Sequence, residues 1–281
     1  MTGVARQPGA GPLPAAERSR RIAEVFDEVA ECYDNVGVAW FTPIARELVA
    51  RLAPEAGERA LDLGCGRGAA TFALADAVGP AGRVTAVDLS RRMVAATTAD
   101  AAAQGRPQVE VLLMDAGTPS LPPASYDLAV ASFVLFFLPA PVAALRAWRR
   151  LLVPGGRVGV STFTRTRGGL LDDLFLPYLP EPAFGGGAGF GSDDVARMVT
   201  AAGFGQVRSE HADIEVRFGS VDQWYAWSRS HGQRAIWQLL SEPDRRRVRA
   251  EAASWLAGHR HRDGTTRVTE RIRFTIGIVP P

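Results

Sequence analysis

The sequence predicts an α/β protein whose sheet is mostly parallel, and three observations support this class. Short apolar segments alternate along the chain with segments in which apolar residues recur at helical spacing. A glycine-rich turn at residues 64–68 joins the first of these strands to the helix that follows it. The second and third strands both end at an aspartate. This alternation is typical of parallel strands linked by right-handed crossovers.

Two helices are predicted before the first strand. The first spans residues 16–32, and its apolar residues share one face. Thr42 is expected to cap the second helix, with Pro43 at its first position. Residues 1–17 have no apolar core, which predicts a flexible tail rather than a secretory signal.

The alternating part of the chain is predicted to contain the first five strands and the three helices that lie among them. The strands are expected at residues 59–63, 83–88, 109–114, 126–133 and 157–163. The helices are expected at residues 69–78, 91–104 (capped by Ser90) and 141–152, with a turn at 153–156.

The last third of the chain departs from simple alternation. Residues 164–191 are rich in glycine and proline, which predicts a mobile loop, and a helix from Ser192 to Gly203 follows. A long strand at residues 207–218 and a final strand at 266–278 are separated by a helical, tryptophan-rich segment at 221–259. We therefore expect an antiparallel return of the last strand, with the helical segment as an insertion.

Composition excludes several classes of function. The net charge of the 281-residue chain is only +2, which gives no electrostatic case for binding nucleic acid. Its two cysteines cannot build a disulfide framework or a structural zinc site, and they fit a reduced cytoplasmic compartment. The apolar segment at 128–145 is interrupted by Pro139 and Pro141, which favours a strand and a helix over a membrane span. The complete absence of lysine indicates a GC-rich bacterial genome.

Three ligands compete for the glycine-rich turn. A P-loop for a nucleoside triphosphate requires a lysine, and the chain has none. A dinucleotide fingerprint requires G-x-G-x-x-G, whereas the third glycine at 64–68 comes one residue early. Asp62 would also repel a diphosphate at the helix N-terminus. It favours a positively charged ligand, and S-adenosylmethionine carries an ammonium and a sulfonium.

Two further acids fit the same ligand. Asp88 ends the second strand, where a carboxylate accepts from ribose hydroxyls, although NAD sites share this feature. Asp115 ends the third strand and is placed to accept from an adenine amino group, with the N–H of Ala116 directed at a ring nitrogen. Each acid alone also fits a simple strand-end cap, so the set is specific only when it is taken together.

The sequence resembles the class I S-adenosylmethionine-dependent methyltransferases. Within them it is similar to the small-molecule branch that includes ubiquinone and menaquinone C-methyltransferases and bacterial natural-product methyltransferases. The motifs, between about residues 22 and 163, are ALDLGCGRG, AVDLS, MDAGTPSLP, YDLAVASFVLFFLP and LLVPGGRVGVSTF. The resemblance implies a Rossmann-like seven-stranded sheet in the order 3-2-1-4-5-7-6, with strand 7 antiparallel. It also implies that Tyr33 folds over the cofactor.

The predicted site has a cofactor part and a substrate part. The cofactor-binding candidates are Tyr33, Asp62, Gly64, Cys65, Gly66, Asp88, Leu89, Met93, Asp115, Ala116 and Ser132. Many relatives carry a histidine just after the fourth strand, where this chain has Phe136 and Phe137, which predict an apolar wall. Trp224 and Trp227 are predicted to line the substrate pocket from one helical face that also carries His231, the candidate general base. A packed histidine and core tryptophans are the alternatives, and no metal site is predicted.

We expect one methyltransferase domain over residues 18–281. It comprises a helical cap at 18–58, a cofactor-binding core at 59–163, a mobile loop at 164–191 and a helical lid at 219–263. The predicted activity is in-line transfer of a methyl group from S-adenosylmethionine to O, N or C of a small apolar or aromatic molecule, such as a secondary metabolite or quinone. Nucleic acid is not expected as a partner, and the choice between monomer and homodimer stays open.

Two alternative functions remain at this point. A methyltransferase-fold protein can bind the cofactor and catalyse a different reaction, such as a cyclisation. An NAD(P)-dependent oxidoreductase is disfavoured by Asp62, by Asp115 and by the glycine spacing.

Overall fold

The structure is a computed structural model that describes residues 14–164, 174, 175, 177 and 194–281. These residues contain the strands β1 (Arg59–Leu63), β2 (Arg83–Asp88), β3 (Val109–Leu113), β4 (Tyr126–Ser132), β5 (Leu152–Phe163), β6 (Gly205–Phe218) and β7 (Thr266–Ile278). They form one seven-stranded sheet in the order β3-β2-β1-β4-β5-β7-β6. The pairs among β1 to β5 are parallel, and β7 is antiparallel to both of its neighbours. The predicted fold class and strand order are therefore confirmed.

The helices lie between the strands as the alternation predicts. They are α1 (Ala15–Val29), α2 (Phe41–Leu52), α3 (Ala69–Val78), α4 (Arg91–Ala103), α5 (Pro141–Leu151), α6 (Asp194–Ala201), α7 (Val221–Ser228), α8 (Arg234–Leu239) and α9 (Glu242–Gly258). A short 3₁₀ turn, Leu135–Phe137, follows β4. Helices α7 to α9 are the insertion expected between the last two strands.

The sheet is covered on both faces because its central strands are apolar on both sides. In β4, Leu128 and Val130 face the core that α2 and α3 complete. Ala129 and Ala131 face the second core, which α5 and α6 complete. This packing fixes the carboxyl ends of the central strands, where the functional residues are expected.

The start of α2 differs from the prediction. Thr42 does not cap this helix, since it lies one residue inside it. The carboxylate of Asp34 caps it instead, accepting from the backbone N–H groups of Phe41 and Thr42 at 3.3 Å each and from the Thr42 hydroxyl at 2.9 Å. The capping carboxylate thus comes from a residue seven positions before the helix, and not from the residue directly before it, where a capping side chain is usually found.

One other predicted boundary is wrong. The expected turn at residues 153–156 lies inside β5, as an irregularity between the pairs Tyr126–Leu152 and Leu128–Arg157. The segment 221–259, predicted to be helical, consists of three helices. Its first helix begins where the Ser220 hydroxyl accepts from the N–H of Gln223, and it ends at Ser228.

The predicted N-terminal tail and mobile loop can be compared with the structure only in part. Helix α1 begins at Ala15, so the expected tail overlaps it by three residues, 15–17. Most of the expected mobile loop and the expected Ser192 cap lie outside the described residues. Among the described helices, none is both long and apolar enough to cross a membrane.

Candidate functional site

The glycine-rich turn after β1 needs glycine for its backbone. Gly64, Gly66 and Gly68 have φ values of +79°, +51° and +83°, a region that other residues rarely adopt. A Cβ on Gly64 would lie 2.5 Å from Cγ2 of Val134, so space is lacking as well. The turn therefore brings its backbone closer to the residues after β4 than a side chain would allow.

Asp88, at the end of β2, holds this turn in place. Its carboxylate accepts from the N–H of Gly66 at 2.8 Å and from the N–H of Ser90 at 2.9 Å. The hydroxyl of Thr97 donates to the carbonyl of Gly66 at 2.7 Å. Burial raises the pKa of Asp88, and these hydrogen bonds oppose that rise. Two carboxylate oxygens offer about four acceptor positions, so capacity remains for further donors.

Asp62 is a buried acid that lacks a cationic partner. It is 1% exposed, and the hydroxyl of Thr71 donates to its Oδ2 at 2.6 Å. Burial raises the pKa of Asp62 to about 7; the bond from Thr71 opposes this rise, and the charge of Asp88 adds to it. No salt bridge within the described ranges involves Asp62. A positively charged ligand would supply the missing compensation.

Tyr33 packs against the glycine-rich turn, and that it covers the cofactor stays a prediction. A Cβ on Gly66 would be 3.5 Å from Cε1 of Tyr33. The ring stacks on Phe41 with centroids 4.7 Å apart. Burial raises the pKa of the Tyr33 hydroxyl, and the charges of Asp34, Asp88 and Cys65 add to this rise.

Helix α1 is anchored so that Tyr33 keeps this position. Asp27 accepts from the Ser90 hydroxyl at 2.5 Å and from the N–H of Arg92 at 3.0 Å. Arg67, within the glycine-rich turn, donates to the carbonyl of Ala30 at 2.7 Å. The end of α1 is therefore tied both to the start of α4 and to the turn.

The other cofactor candidates occupy neighbouring positions, with different contacts. Leu89 is half-buried, and Met93 is buried in the first turn of α4, where its N–H donates to Ser90 Oγ. Cys65 is a buried free cysteine whose thiol pKa is raised, chiefly by burial.

Three candidates make contacts outside this group. Asp115 accepts from the N–H of Gly117 at 2.7 Å. The carbonyl of Ala116 accepts from the indole N–H of Trp148 at 2.6 Å. Ser132 shares a hydrogen bond of 2.8 Å with Ser161. The structure thus brings Tyr33 and Asp88 against the turn, while these three lie along the rest of the same sheet edge.

An aromatic cluster lies beside this part of the site, at the carboxyl ends of β4 and β5. Its members are Phe26, Tyr33, Trp40, Phe41, Phe133, Phe136, Phe137, Phe163, Trp227 and His231. The rings of Phe136 and Phe137 are 4.6 Å apart, and their role as an apolar wall of the substrate pocket stays a prediction. Tyr33 belongs both to this cluster and to the cofactor side, so the two parts of the site meet there.

Several members of the aromatic cluster were not predicted. Phe133 directly follows β4, has a φ of +57° and lies 4.6 Å from the ring of Phe163, which ends β5. Their position at strand carboxyl ends was a usable signal. Trp40 and Phe41 had no such signal, because the contacts that bring them in are tertiary.

The lid supplies Trp227 and His231 to the aromatic cluster but not Trp224. The Trp227 ring lies 5.8 Å from Trp40 and 4.7 Å from His231. Trp224 is fully buried against Trp237, within the lid itself. The single helical face expected for these residues does not exist, since α7 ends before His231.

His231 is buried, and burial lowers its pKa to about 3. It is therefore neutral near pH 7. Its role as a general base stays a prediction. Of the remaining histidines, His211 lies in β6 and His259 and His261 lie at the far end of the lid, and all three are exposed. The described residues hold no group of three side chains that could ligate a metal.

Comparison with known proteins agrees with this geometry. Residues 60–156 match the family described as a methyltransferase domain. The chain is 36% identical over 276 residues to nocamycin O-methyltransferase of Saccharothrix syringae, covering 92% of this chain and 98% of that protein. It is also 36% identical over 164 residues to aklanonic acid methyltransferase DauC of Streptomyces sp. strain C5, covering 58% of this chain and 74% of that protein.

A solved structure shares the fold. The Haemonchus contortus phosphoethanolamine N-methyltransferase 2 in complex with S-adenosyl-L-methionine has a TM-score of 0.62 at 17% identity, covering 96% of this chain and 61% of that one. The chain therefore belongs to the S-adenosylmethionine-dependent methyltransferases, in the class I small-molecule group. It is an enzyme of this family, and S-adenosylmethionine is its cofactor.

Proposed function

We propose that the protein methylates an oxygen atom of a small, largely aromatic natural product. The observation that carries this proposal is the aromatic cluster, which meets the cofactor side of the site at Tyr33. Similarity to an O-methyltransferase over nearly the whole chain favours oxygen over nitrogen or carbon as the acceptor atom. Quinone-like compounds belong to the same chemical class and are included.

The residues around the glycine-rich turn are proposed to hold the cofactor. Asp88 has acceptor capacity left for ribose hydroxyls, and Asp62 offers a buried carboxylate to a cationic group. Tyr33, Leu89 and Met93 would pack against the bound cofactor, and Asp115 and Ala116 would hydrogen-bond its adenine. When bound, S-adenosylmethionine supplies a methyl group on a positively charged sulfur.

The aromatic cluster is proposed to bind and orient the acceptor molecule. Phe136, Phe137 and Trp227 present apolar ring surface, which excludes water and holds a flat ring by stacking. Methyl transfer depends on position and on a dry site more than on acid–base groups. A general base is needed only when the acceptor atom carries a proton.

The test is an assay of cofactor turnover with an isotopically labelled methyl group. Wild type and Asp88→Ala are incubated with aromatic phenols, acids and quinols, and products are analysed by mass spectrometry. The proposal expects labelled O-methyl products and S-adenosylhomocysteine from wild type alone. An isomerised substrate without cofactor consumption would support the cyclase alternative, and label on carbon or nitrogen would overturn the assignment to oxygen.

The cellular compartment and the partners of the enzyme are also part of this proposal. The two cysteines, Cys32 and Cys65, are free, which is in keeping with a reducing cytoplasm. We expect a small-molecule partner and no nucleic acid, since the chain is nearly neutral overall. Gel filtration with light scattering distinguishes a monomer from a homodimer.

A further inference from the structure

Two N–H groups of the lid are buried in the aromatic cluster without an acceptor. His231 is 7% exposed and Trp227 is 2% exposed. Neither Nε2 of His231 nor Nε1 of Trp227 has a hydrogen-bond partner among the described residues. Their ring centroids are 4.7 Å apart, so both groups belong to one small region.

The hydrogen bonding of His231 assigns its proton to Nε2. The backbone N–H of Gln233 donates to Nδ1 of His231 at 3.4 Å. A backbone N–H can only donate, so Nδ1 is the acceptor, and a neutral imidazole then carries its single proton on Nε2. His231 is thus a hydrogen-bond donor at the nitrogen that lacks a partner.

The surroundings keep His231 neutral. The rings of Phe41 and Trp227 pack against it edge-on, and neither carries a charge. The charged groups on the elements packed against it are already engaged: Arg234 pairs with Glu28 at 2.8 Å, and Asp34 accepts from the N–H groups of Phe41 and Thr42. The Tyr33 hydroxyl, whose ring stacks on Phe41, has a raised pKa and is neutral as well. No carboxylate is thus available to stabilise an imidazolium.

Buried donors without acceptors are rare in native proteins because they lose their hydrogen bonds to water. Two of them, on rings that pack against each other within the aromatic cluster, indicate a ligand that brings an acceptor. An anionic oxygen is the acceptor that gains most from two donors in an apolar setting.

We propose that His231 and Trp227 form a donor pair that binds an anionic oxygen of the substrate, either a carboxylate or an enolate. This rests on the proposed function, because it names the acceptor class of the same site. His231 is then a specificity-determining residue that donates a hydrogen bond, and it is not a base. Such an oxygen is already deprotonated, so its methylation has no proton to remove.

Calorimetry with small probes tests the donor pair. The protein is saturated with S-adenosylhomocysteine and titrated with naphthoate for the carboxylate, acetyltetralone for the enolate and naphthylmethanol as the uncharged comparison. We expect at least one of the two anionic probes to bind about tenfold or more tightly than the alcohol. The anionic probe that binds tightly identifies which of the two oxygens the site takes.

Variants distinguish the contribution of the N–H donors from that of the aromatic rings. His231→Phe and Trp227→Phe are each expected to lose about tenfold in affinity for the anionic probe and little for the alcohol. His231→Gln retains an N–H donor and is expected to recover most of the affinity for the anionic probe that His231→Phe loses. Trp224→Phe is the matched control, because it removes an equally buried and unpartnered indole N–H that lies outside the aromatic cluster.

Nitrogen NMR of the histidines gives an independent readout. We expect His231 to show a protonated Nε2 and an unprotonated Nδ1, unchanged between about pH 5.5 and about pH 8, with Nε2 shifting when the anionic probe binds. An imidazolium, the opposite tautomer, or a His231→Gln variant that binds the anionic probe as weakly as His231→Phe would overturn the donor pair. If S-adenosylhomocysteine binds but neither anion binds better than the alcohol, only the donor pair fails. If S-adenosylhomocysteine itself does not bind, the proposed function fails.

Discussion

Replacing Asp62 by asparagine should make the protein without cofactor more stable at neutral pH. The carboxylate is buried with a hydroxyl but no cation, so its ionisation is unfavourable in the folded state. Asparagine has the same shape, and its carbonyl can still accept from Thr71. The substitution therefore removes the buried charge and keeps the hydrogen bond.

The size of the effect follows from the raised pKa. Because the folded pKa of Asp62 is about 7, the folded state binds a proton that the unfolded state releases above about pH 4. Stability from this group is thus fully present at low pH and is lost as the pH rises through 7. Between the unfolded pKa of about 4 and the folded pKa of about 7, each pH unit changes the free energy of unfolding by about 1.4 kcal/mol. Lowering the pH from about 7.5 to about 5.5 therefore raises the free energy of unfolding by about 2 kcal/mol.

Urea unfolding at the two pH values measures this difference. We expect wild type to gain about 2 kcal/mol more than Asp62→Asn when the pH is lowered. Asp88 has a raised pKa too, but it is present in both proteins. Asp127→Asn is the matched control. Bonds from Arg59 lower the pKa of Asp127, so its contribution is present above the unfolded pKa and is lost only at more acidic pH. An unchanged pH dependence in Asp62→Asn would refute the reasoning.

Three further outcomes are expected. Asp88→Ala should weaken S-adenosylmethionine binding at least about hundredfold in calorimetry. The substitution removes an acceptor for the ligand and also the hydrogen bond that holds the glycine-rich turn. The control variant Asp127→Ala should leave this binding unchanged. Gly64→Ala should destabilise the fold in thermal melts by more than about 1 kcal/mol. Adding Val134→Ala should restore only part of the lost stability, because it removes the 2.5 Å clash and leaves the strain of a positive φ. Tyr33→Ala should speed cofactor dissociation about tenfold in stopped-flow fluorescence, whereas Tyr33→Phe keeps the covering ring and should not. Equal rates in the two Tyr33 variants would contradict a covering role.

The strands and the glycine-rich turn could be predicted because their signals are local. Apolar segments bounded by glycine, proline and aspartate gave β1, β2 and β7 with the bounds that the structure has. The order of the strands came from the family resemblance. The antiparallel return of β7 also followed from the missing crossover, which is a chain-level signal.

The remainder depends on contacts between distant parts of the chain. Asp34 caps α2 across seven and eight residues, a reach that no short capping pattern encodes. Helical spacing continues past Ser228, but the chain turns there and buries His231 against Phe41. The aromatic cluster likewise joins side chains from α1, α2, β5 and the lid. Spacing along the sequence cannot reveal such a cluster, because none of its members is close to all the others in sequence.

Helix α1 carries one more consequence in two adjacent acids. Asp27 binds the start of α4, beside the glycine-rich turn, while Glu28 accepts from Arg234 and Gln238 of α8 at 2.8 Å each. One helix is thus joined to the start of α4 through Asp27 and to α8 through Glu28. Any displacement of α1 would break both sets of hydrogen bonds together. We therefore expect a change at the glycine-rich turn to be felt in the lid, because the same helix contacts both.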